Sequence, residues 1–392
     1  MAAVMSGSGS APVSLEPKHD TKAPTPPAEG VGGFNAGKFF IGLVGMVVVA
    51  WGIGNLFLAF GYYPEKFGSR IVIAIVALIA GVGGAAVFFY FLNMMVEGLP
   101  ERLSLRVMPY AYLAPAVAAI GVMLLYPTVQ TIHYSFANAD STAYVGFDNY
   151  RAIFQDDEFW ISITNNILWL LVVPALTVAF GTVVAVLADK LSQTGEKVAK
   201  SLIFLPMAIS FVGASAIWLL VYQLDSGDEQ TGLLNAVWSA LGGEPQAWLS
   251  IDTARLNSFL MMVILIWLQT GFAMILLSSA IKGVPEETLE AARIDGASEL
   301  KIFFQVVIPQ IRGTIITVFI TVLILVLKVF DIVYVLKNGL DKTNVIANLF
   351  FQELFANGQA GQASAIVVIL LIAVMPVLFY QVRHFRQEEM NR

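Results

Sequence analysis

The sequence predicts an all-α, polytopic membrane protein with about eight transmembrane helices, and three observations carry that prediction. Of 392 residues, 57% are hydrophobic and 13% are charged, roughly half the charged share of a soluble domain. Mean hydropathy is +0.75. Mostly apolar stretches at 39–60, 71–96, 108–128, 163–188, 199–223, 257–280, 314–336 and 362–382 are each long enough as helices to cross about 30 Å of hydrocarbon. They lack the two-residue alternation of barrel strands, and Pro115, Pro174, Pro206 and Pro376 within them are tolerated in packed membrane helices, where kinks are expected.

In chain order, residues 1–38 come first. They are rich in Ala, Gly, Pro and Ser, with too few large apolar side chains to offset ordering entropy, and read as a disordered cytoplasmic tail. A signal peptide is not expected, because Lys18 and Lys22 come late and a full-length span follows. Gly32, Gly37 and Lys38 fit G-x-x-x-x-G-K, but Phe39 stands where Ser or Thr should hold magnesium, and no strand precedes them. The chain is therefore expected to bind no cofactor, and any ATP and Mg would be used by another subunit. Residues 39–107 form two transmembrane helices, and the remaining six spans occupy 108–382, with a short cytoplasmic C-terminal tail at 383–392.

An even number of spans puts both termini on one side. The segments sharing that side hold 15 Lys and Arg, against 6 on the other, and the positive-inside rule then places the termini in the cytoplasm. Composition also excludes function classes. A net charge of −6 favours no nucleic-acid partner. With no Cys and only His19, His133 and His384, there is no disulfide framework and little basis for zinc or redox chemistry.

The cytoplasmic segment 281–313 is the most informative. Pro285, acids in the following turn, helix formers through Ile294 and then Gly296 specify a short helix ended by a turn. A second, amphipathic helix should follow from about Ser298, with Ile302, Phe303, Val306 and Val307 at helical spacing, until Pro309. Together they make a rigid lever at the membrane surface.

Here the sequence resembles the permease subunits of bacterial binding-protein-dependent ABC importers. Their EAA loop runs EAA, three residues, G, nine residues, I-x-L-P. Glu290-Ala291-Ala292, Gly296 and Pro309 match at that spacing, with Val306 and Ile308 as conservative stand-ins. Chance agreement at five such positions is on the order of one in a thousand. Tyr126-Pro127, Ser135-Phe136, Val145 to Tyr150, Phe159-Trp160, Asn165-Asn166, Phe204-Leu205-Pro206, Trp267, Gly271-Phe272 and Phe330-Asp331 are similar to the sugar-permease pattern. The resemblance covers roughly 108–382, and the two extra N-terminal spans are similar to the arrangement in the maltose permease. Two departures stand out. The outer loop at 129–162 is too short for that permease's large periplasmic domain, and the usual T-x-G-G-P is replaced by Lys337-Asn338-Gly339-Leu340-Asp341. Lys328 to Val335 and Asn344 to Asn348 look most like the alpha-glucoside branch.

The resemblance implies a chain that is not an enzyme but one membrane subunit of a sugar or oligosaccharide importer. Its partners would be two cytoplasmic ABC ATPase subunits, a second permease subunit, an extracytoplasmic sugar-binding protein and membrane lipid. The family passes nucleotide-driven closure through the EAA helix docked in an ATPase cleft, which makes Glu286, Glu290, Ala291, Ala292, Asp295, Gly296 and Pro309 the coupling residues. A carboxylate at Glu290 can pair with an Arg, and Ala291 and Ala292 allow close approach.

An ion-coupled secondary transporter is the alternative. It would need intramembrane carboxylates and commonly inverted repeats, and Asp331 is the one clear intramembrane acid. For the sugar path, Gln269 and Phe272 in the sixth span and Lys328 and Asp331 in the seventh are each three residues apart and should share a helix face. Gln269 offers an amide for hydroxyls and Phe272 a ring for a pyranose face. Lys328 and Asp331 should be close enough to pair, because charges in a span need a partner or a watery cavity.

Overall fold

The computed structural model describes residues 33–225 and 232–390. Most of the expected N-terminal tail, Gly32 and the last two residues lie outside this range. Among the described residues, six helices are long and apolar enough to cross a membrane, or eight if each of two bent helix pairs counts as one span. Contacts divide the chain into two compact units at Leu125 and Tyr126.

The first unit holds α1 (Ala36–Tyr62), α2 (Arg70–Glu97) and α3 (Glu101–Ile120). Asn35 caps α1, its side chain accepting from Lys38 N at 3.0 Å. Lys38 and Gly37 thus belong to a helix rather than a phosphate loop. The α1–α2 hairpin is close because it is built on glycine: a Cβ at Gly42 would come within 2.4 Å of Met95 N. α3 packs on α2, with Tyr112 stacked on Phe89 and donating to Asn93 Oδ1 at 2.9 Å. These contacts tie the start of the third span to the first two helices, so the division falls inside that span rather than before it. The span runs on through a π-helical turn at Gly121–Leu125 into α4 (Tyr126–Tyr134).

The second unit contains α4, α5 (Asp148–Gln155), α6 (Asp157–Ala188), α7 (Gln193–Phe204), α8 (Phe211–Val221), α9 (Leu233–Ala240), α10 (Leu256–Lys282), α11 (Glu286–Ile294), α12 (Glu299–Ile302), α13 (Ile308–Gln310), α14 (Arg312–Leu327), α15 (Asp331–Leu336), α16 (Ile346–Phe351) and α17 (Ala360–Met390). At its centre α10 runs parallel to α6: Arg255 bonds Asn165, Gly181 abuts Ala273, and Ser278 bonds Asp189. Two glycines set the spacing of this layer. A Cβ at Gly181 would stand 2.5 Å from Ala273 Cβ, and one at Gly271 would stand 2.4 Å from the Ile203 carbonyl oxygen. The α6–α10 seam buries Trp169, Val173, Met261, Leu265 and Leu268, and α6 also buries the polar Ser162, Asn166 and Thr177, Asn166 accepting from Ile346 N of α16 at 2.8 Å. Outward positions such as Leu171, Val183 and Leu220 are exposed and apolar, as a helix bundle solvated by lipid requires.

Two expected spans are corrected. The stretch 199–223 is not one helix: α7 and α8 meet at 103°. Pro206 supplies no N–H and sits in a 3₁₀ turn at Leu205–Ala208, and Ser210 then starts a new helix by accepting from Gly213 N at 3.1 Å. The stretch 314–336 ends as an α-helix at Leu327, and Phe330, at φ −143° and ψ −60°, separates it from α15. At the chain end, α17 continues without a break to Met390, so residues 383–390 of the expected tail extend the last span as helix.

At the end of the bundle away from α11, amide side chains hold the loop 337–344. Asn338, Gly339, Asp341 and Lys342 all have positive φ, between 47° and 83°, a conformation costly for three of them. Asn165 Nδ2 donates to the carbonyls of Lys342 (2.8 Å) and Asn344 (2.7 Å), and Asn257 Nδ2 donates to that of Asp341 at 2.7 Å. Lys342 pairs with Asp252 at 2.7 Å and holds its carboxyl below the usual carboxylate range. Asn165→Ala strands two carbonyls in a buried setting, and about 2–3 kcal/mol of local stability should be lost. Faster proteolysis at 337–344 and a lower melting temperature in detergent are the expected readouts, and an unchanged melting curve would refute the pinning role.

Candidate functional site: the coupling helix and the Lys328–Asp331 cavity

Two regions concentrate the residues singled out by sequence. The first is the segment after α10. Gly283 ends that helix, and Pro285 is the N-cap of α11 rather than its first helical residue. Glu286 and Glu287 occupy the first turn and Arg293 the last, each suited to its end of the helix dipole. The C-terminus closes as a Schellman turn: Ala297 N donates to Ala292 O at 3.1 Å, Gly296 N donates to Arg293 O at 3.0 Å, and Gly296 has φ +77°. A side chain at Gly296 would strain that turn.

Ala292, Leu289 and Ala297 pack inward against Met274, Leu277, Val284 and Ile302, which explains one of the two paired alanines. The opposite face carries Glu286, Glu290 and Ile294, four residues apart and all exposed, with Ala291 and Asp295 beside them. Ile294 is 86% exposed, the most exposed large apolar side chain among the described residues. Sequence reasoning counted it only as a helix former; its four-residue spacing from Glu290 was the available signal. Across the turn, Arg293 Nε meets Glu299 Oε1 at 2.9 Å and Nη2 meets Oε2 at 3.4 Å, raising the Arg293 pKa and joining α11 to α12.

The amphipathic helix does not stop at Pro309. It passes through a π-helical turn at Phe303–Val307 and continues to Gln310 before a 71° bend leads into α14. The wider turn accommodates a proline that cannot donate to the residue four before it.

The second region lies where α14 breaks. Lys328, Val329, Phe330, Asp331 and Ile332, with Phe211, Leu265 and Leu325, line a cavity of about 230 Å³. The break changes the expected geometry: Lys328 caps the end of α14, Asp331 opens α15, and they share no continuous helix face. They form no ion pair with each other or with any other described residue; of the partner or cavity expected for charges in a span, the structure shows a cavity. Phe330 stacks on Tyr334 at 5.1 Å and lies 5.2 Å from Phe351, which contacts Phe355 at 4.7 Å. This aromatic row beside the cavity depends on the fold of α15 against α16 and was not legible as a unit.

Gln269 and Phe272 do not line the cavity at Lys328 and Asp331. Gln269 is buried in α10, 6% exposed. Phe272 packs toward Ala185 and Met274.

The family described as "Binding-protein-dependent transport system inner membrane component" matches residues 178–387. The chain is 45% identical over 334 residues to the alpha-glucoside transport system permease protein AglF of Rhizobium meliloti, covering 81% of this chain and 98% of that one. It is also 45% identical over 282 residues to the osmoprotective compounds uptake permease protein GgtC of Synechocystis sp., covering 72% of this chain and 100% of the relative. Among solved structures, a chain of a bacterial ABC transporter involved in import of the acidic polysaccharide alginate shares the fold. Its TM-score is 0.62 at 21% identity, over 73% of this chain and 99% of that one. With the EAA helix, its turn and the family match on one segment of a multi-span helical bundle, this chain belongs to the binding-protein-dependent transport system inner membrane components.

Proposed function

We propose that this chain is one of two unlike membrane subunits of an ATP-driven importer for a sugar or oligosaccharide of the alpha-glucoside class. The observation that carries the reading is the outward face of α11, where an acidic stripe and one bare Ile are presented on a helix locked at both ends. That face suits a cleft on a cytoplasmic ATPase subunit, with Glu290 meeting a basic side chain and Ile294 filling an apolar contact. ATP and Mg would act in the ATPase pair, which closes on nucleotide. Because α11 is continuous in packing with α10 and α12, that closure would move the bundle ends rather than bend a loose loop.

The sugar, released by an extracytoplasmic binding protein, would pass the break at Lys328–Asp331. There the ammonium can donate to hydroxyls and the carboxylate can accept from them, while Phe330 and Tyr334 offer ring faces. At about 230 Å³ the cavity is smaller than a typical ligand pocket of about 300–1,000 Å³, which favours a path completed by the second permease. The Lys and Arg distribution supports cytoplasmic termini.

Uptake of labelled maltose, sucrose and trehalose, with xylose as comparison, into cells carrying the full importer tests the substrate class. Uptake of at least one alpha-glucoside that disappears when this chain is deleted is expected. Deletion without effect on any sugar would refute the substrate assignment.

A further inference from the structure

At the root of the coupling helix, three helix ends are tied by charges. Asp189 caps the C-terminus of α6, Glu196 and Lys200 stand one turn apart on α7, and Ser278 and Lys282 stand one turn apart at the end of α10. Lys200 Nζ lies 2.8 Å from Asp189 Oδ1 and 2.6 Å from Glu196 Oε1, and it also donates to Ser278 Oγ. Ser278 Oγ in turn donates to Asp189 Oδ1 at 2.9 Å. Lys282 Nζ pairs with Glu196 and lies 3.6 Å from Asp189 Oδ1.

An exposed ion pair would contribute little. Three of these side chains differ: Asp189 and Glu196 are each 18% exposed and Lys200 is 19% exposed, while Lys282 is 51% exposed. Two cations meet two anions, so the cluster is neutral as a set, and removal of one member leaves an uncompensated, mostly covered charge. Asp189 makes this plain, because a carboxylate at a helix C-terminus faces the negative end of the dipole and needs the two lysines.

The location gives the cluster its consequence. Lys282 is the last residue of α10, and Gly283 and Val284 alone separate it from Pro285 at the start of α11. α7 is the half-helix before the 103° break, so it lacks the continuity of a straight span to hold its inner end. A displacement of α11 could be absorbed at Gly283 unless the end of α10 is fixed to its neighbours.

We propose that Asp189, Glu196, Lys200 and Lys282 are positioning residues for energy coupling: they clamp the ends of α6, α7 and α10 into one body, so that movement of α11 reaches all three helices. The proposal rests on the importer reading and specifies how force leaves the EAA helix.

The test uses the whole importer, with both permeases and the ATPase pair, in proteoliposomes. The readout is the fold by which sugar-loaded binding protein stimulates ATP hydrolysis. Lys200→Met and Lys282→Met should each lower that stimulation about five- to tenfold, the low end of ordinary coupling free energies between two sites. The ATPase should still copurify in parental amounts, and Lys200→Arg, which keeps the charge, should recover most of the stimulation. Parental stimulation in both Met variants would overturn the clamp. Loss of the assembled complex in both variants would also overturn it, since the cluster would then serve packing alone. Absence of any stimulation in the parental complex would count against the importer reading instead.

Discussion

Glu290→Ala should weaken association with the ATPase subunits on the order of a hundredfold, the size expected when one member of a close interfacial charge pair is truncated. The side chain is exposed and has no ion-pair partner within the chain among the described residues. It lies one turn before Ile294 on the outward face of α11. Alanine is the better helix former, and the Schellman turn uses only the backbone of Ala292, Arg293, Gly296 and Ala297. The helix itself should therefore persist, and the loss should be read in binding alone. If Glu290 served only the helix dipole, its removal would change helix stability by about 0.3–1 kcal/mol. Copurification and transport would then stay near parental. Titration of purified ATPase onto the permease pair in nanodiscs distinguishes these outcomes.

Lys328→Met and Asp331→Asn should each lower sugar uptake about tenfold or more, as when a site built to hydrogen-bond hydroxyls loses one polar partner. The lack of an ion pair between them sets the expectation for the double variant. Two charges that neutralised each other would be dispensable together, and Lys328→Met with Asp331→Asn would restore uptake. Two groups that both line the cavity and each acted on the solute would leave the double variant no better than the worse single one, which is the expected result. Uptake is to be compared at equal membrane levels and with ATPase association intact. Full recovery in the double variant would remove the pair from the sugar path.

Much of this molecule was legible because lipid makes composition decisive. Long apolar runs located the spans, and α1, α2, α6 and α10 lie within a few residues of expectation, apart from six extra residues at the start of α6. Local signals at Pro285, Glu286 and Gly296 located α11, because caps and positive-φ turns depend on neighbouring residues. The breaks were less legible. Pro206 signalled a kink but not a 103° turn, which also needed Ser210 to start a new helix. The interruption at Lys328–Phe330 has no proline or glycine to announce it, and without it Lys328 and Asp331 appear as a same-face pair. The four-residue spacing set Ile294 on the face of Glu290, but that this face points out while Ala292 points in depends on α10 and α12 beneath. The clamp was hidden for a similar reason: Ser278 and Asp189 are 89 residues apart, and only the parallel packing of α6 and α10 brings them together.

The most direct test of the coupling role is a cross-link from the outward face of α11. The chain contains no cysteine, so Ile294→Cys creates a unique thiol on this subunit to which a photoactivatable maleimide can be attached within the assembled importer. Irradiation should produce one adduct with the ATPase subunit, in a yield that changes when ATP is added. An assembled, ATP-hydrolysing complex that gives no adduct in either nucleotide state would contradict the assignment of α11 as the element that receives the ATPase stroke.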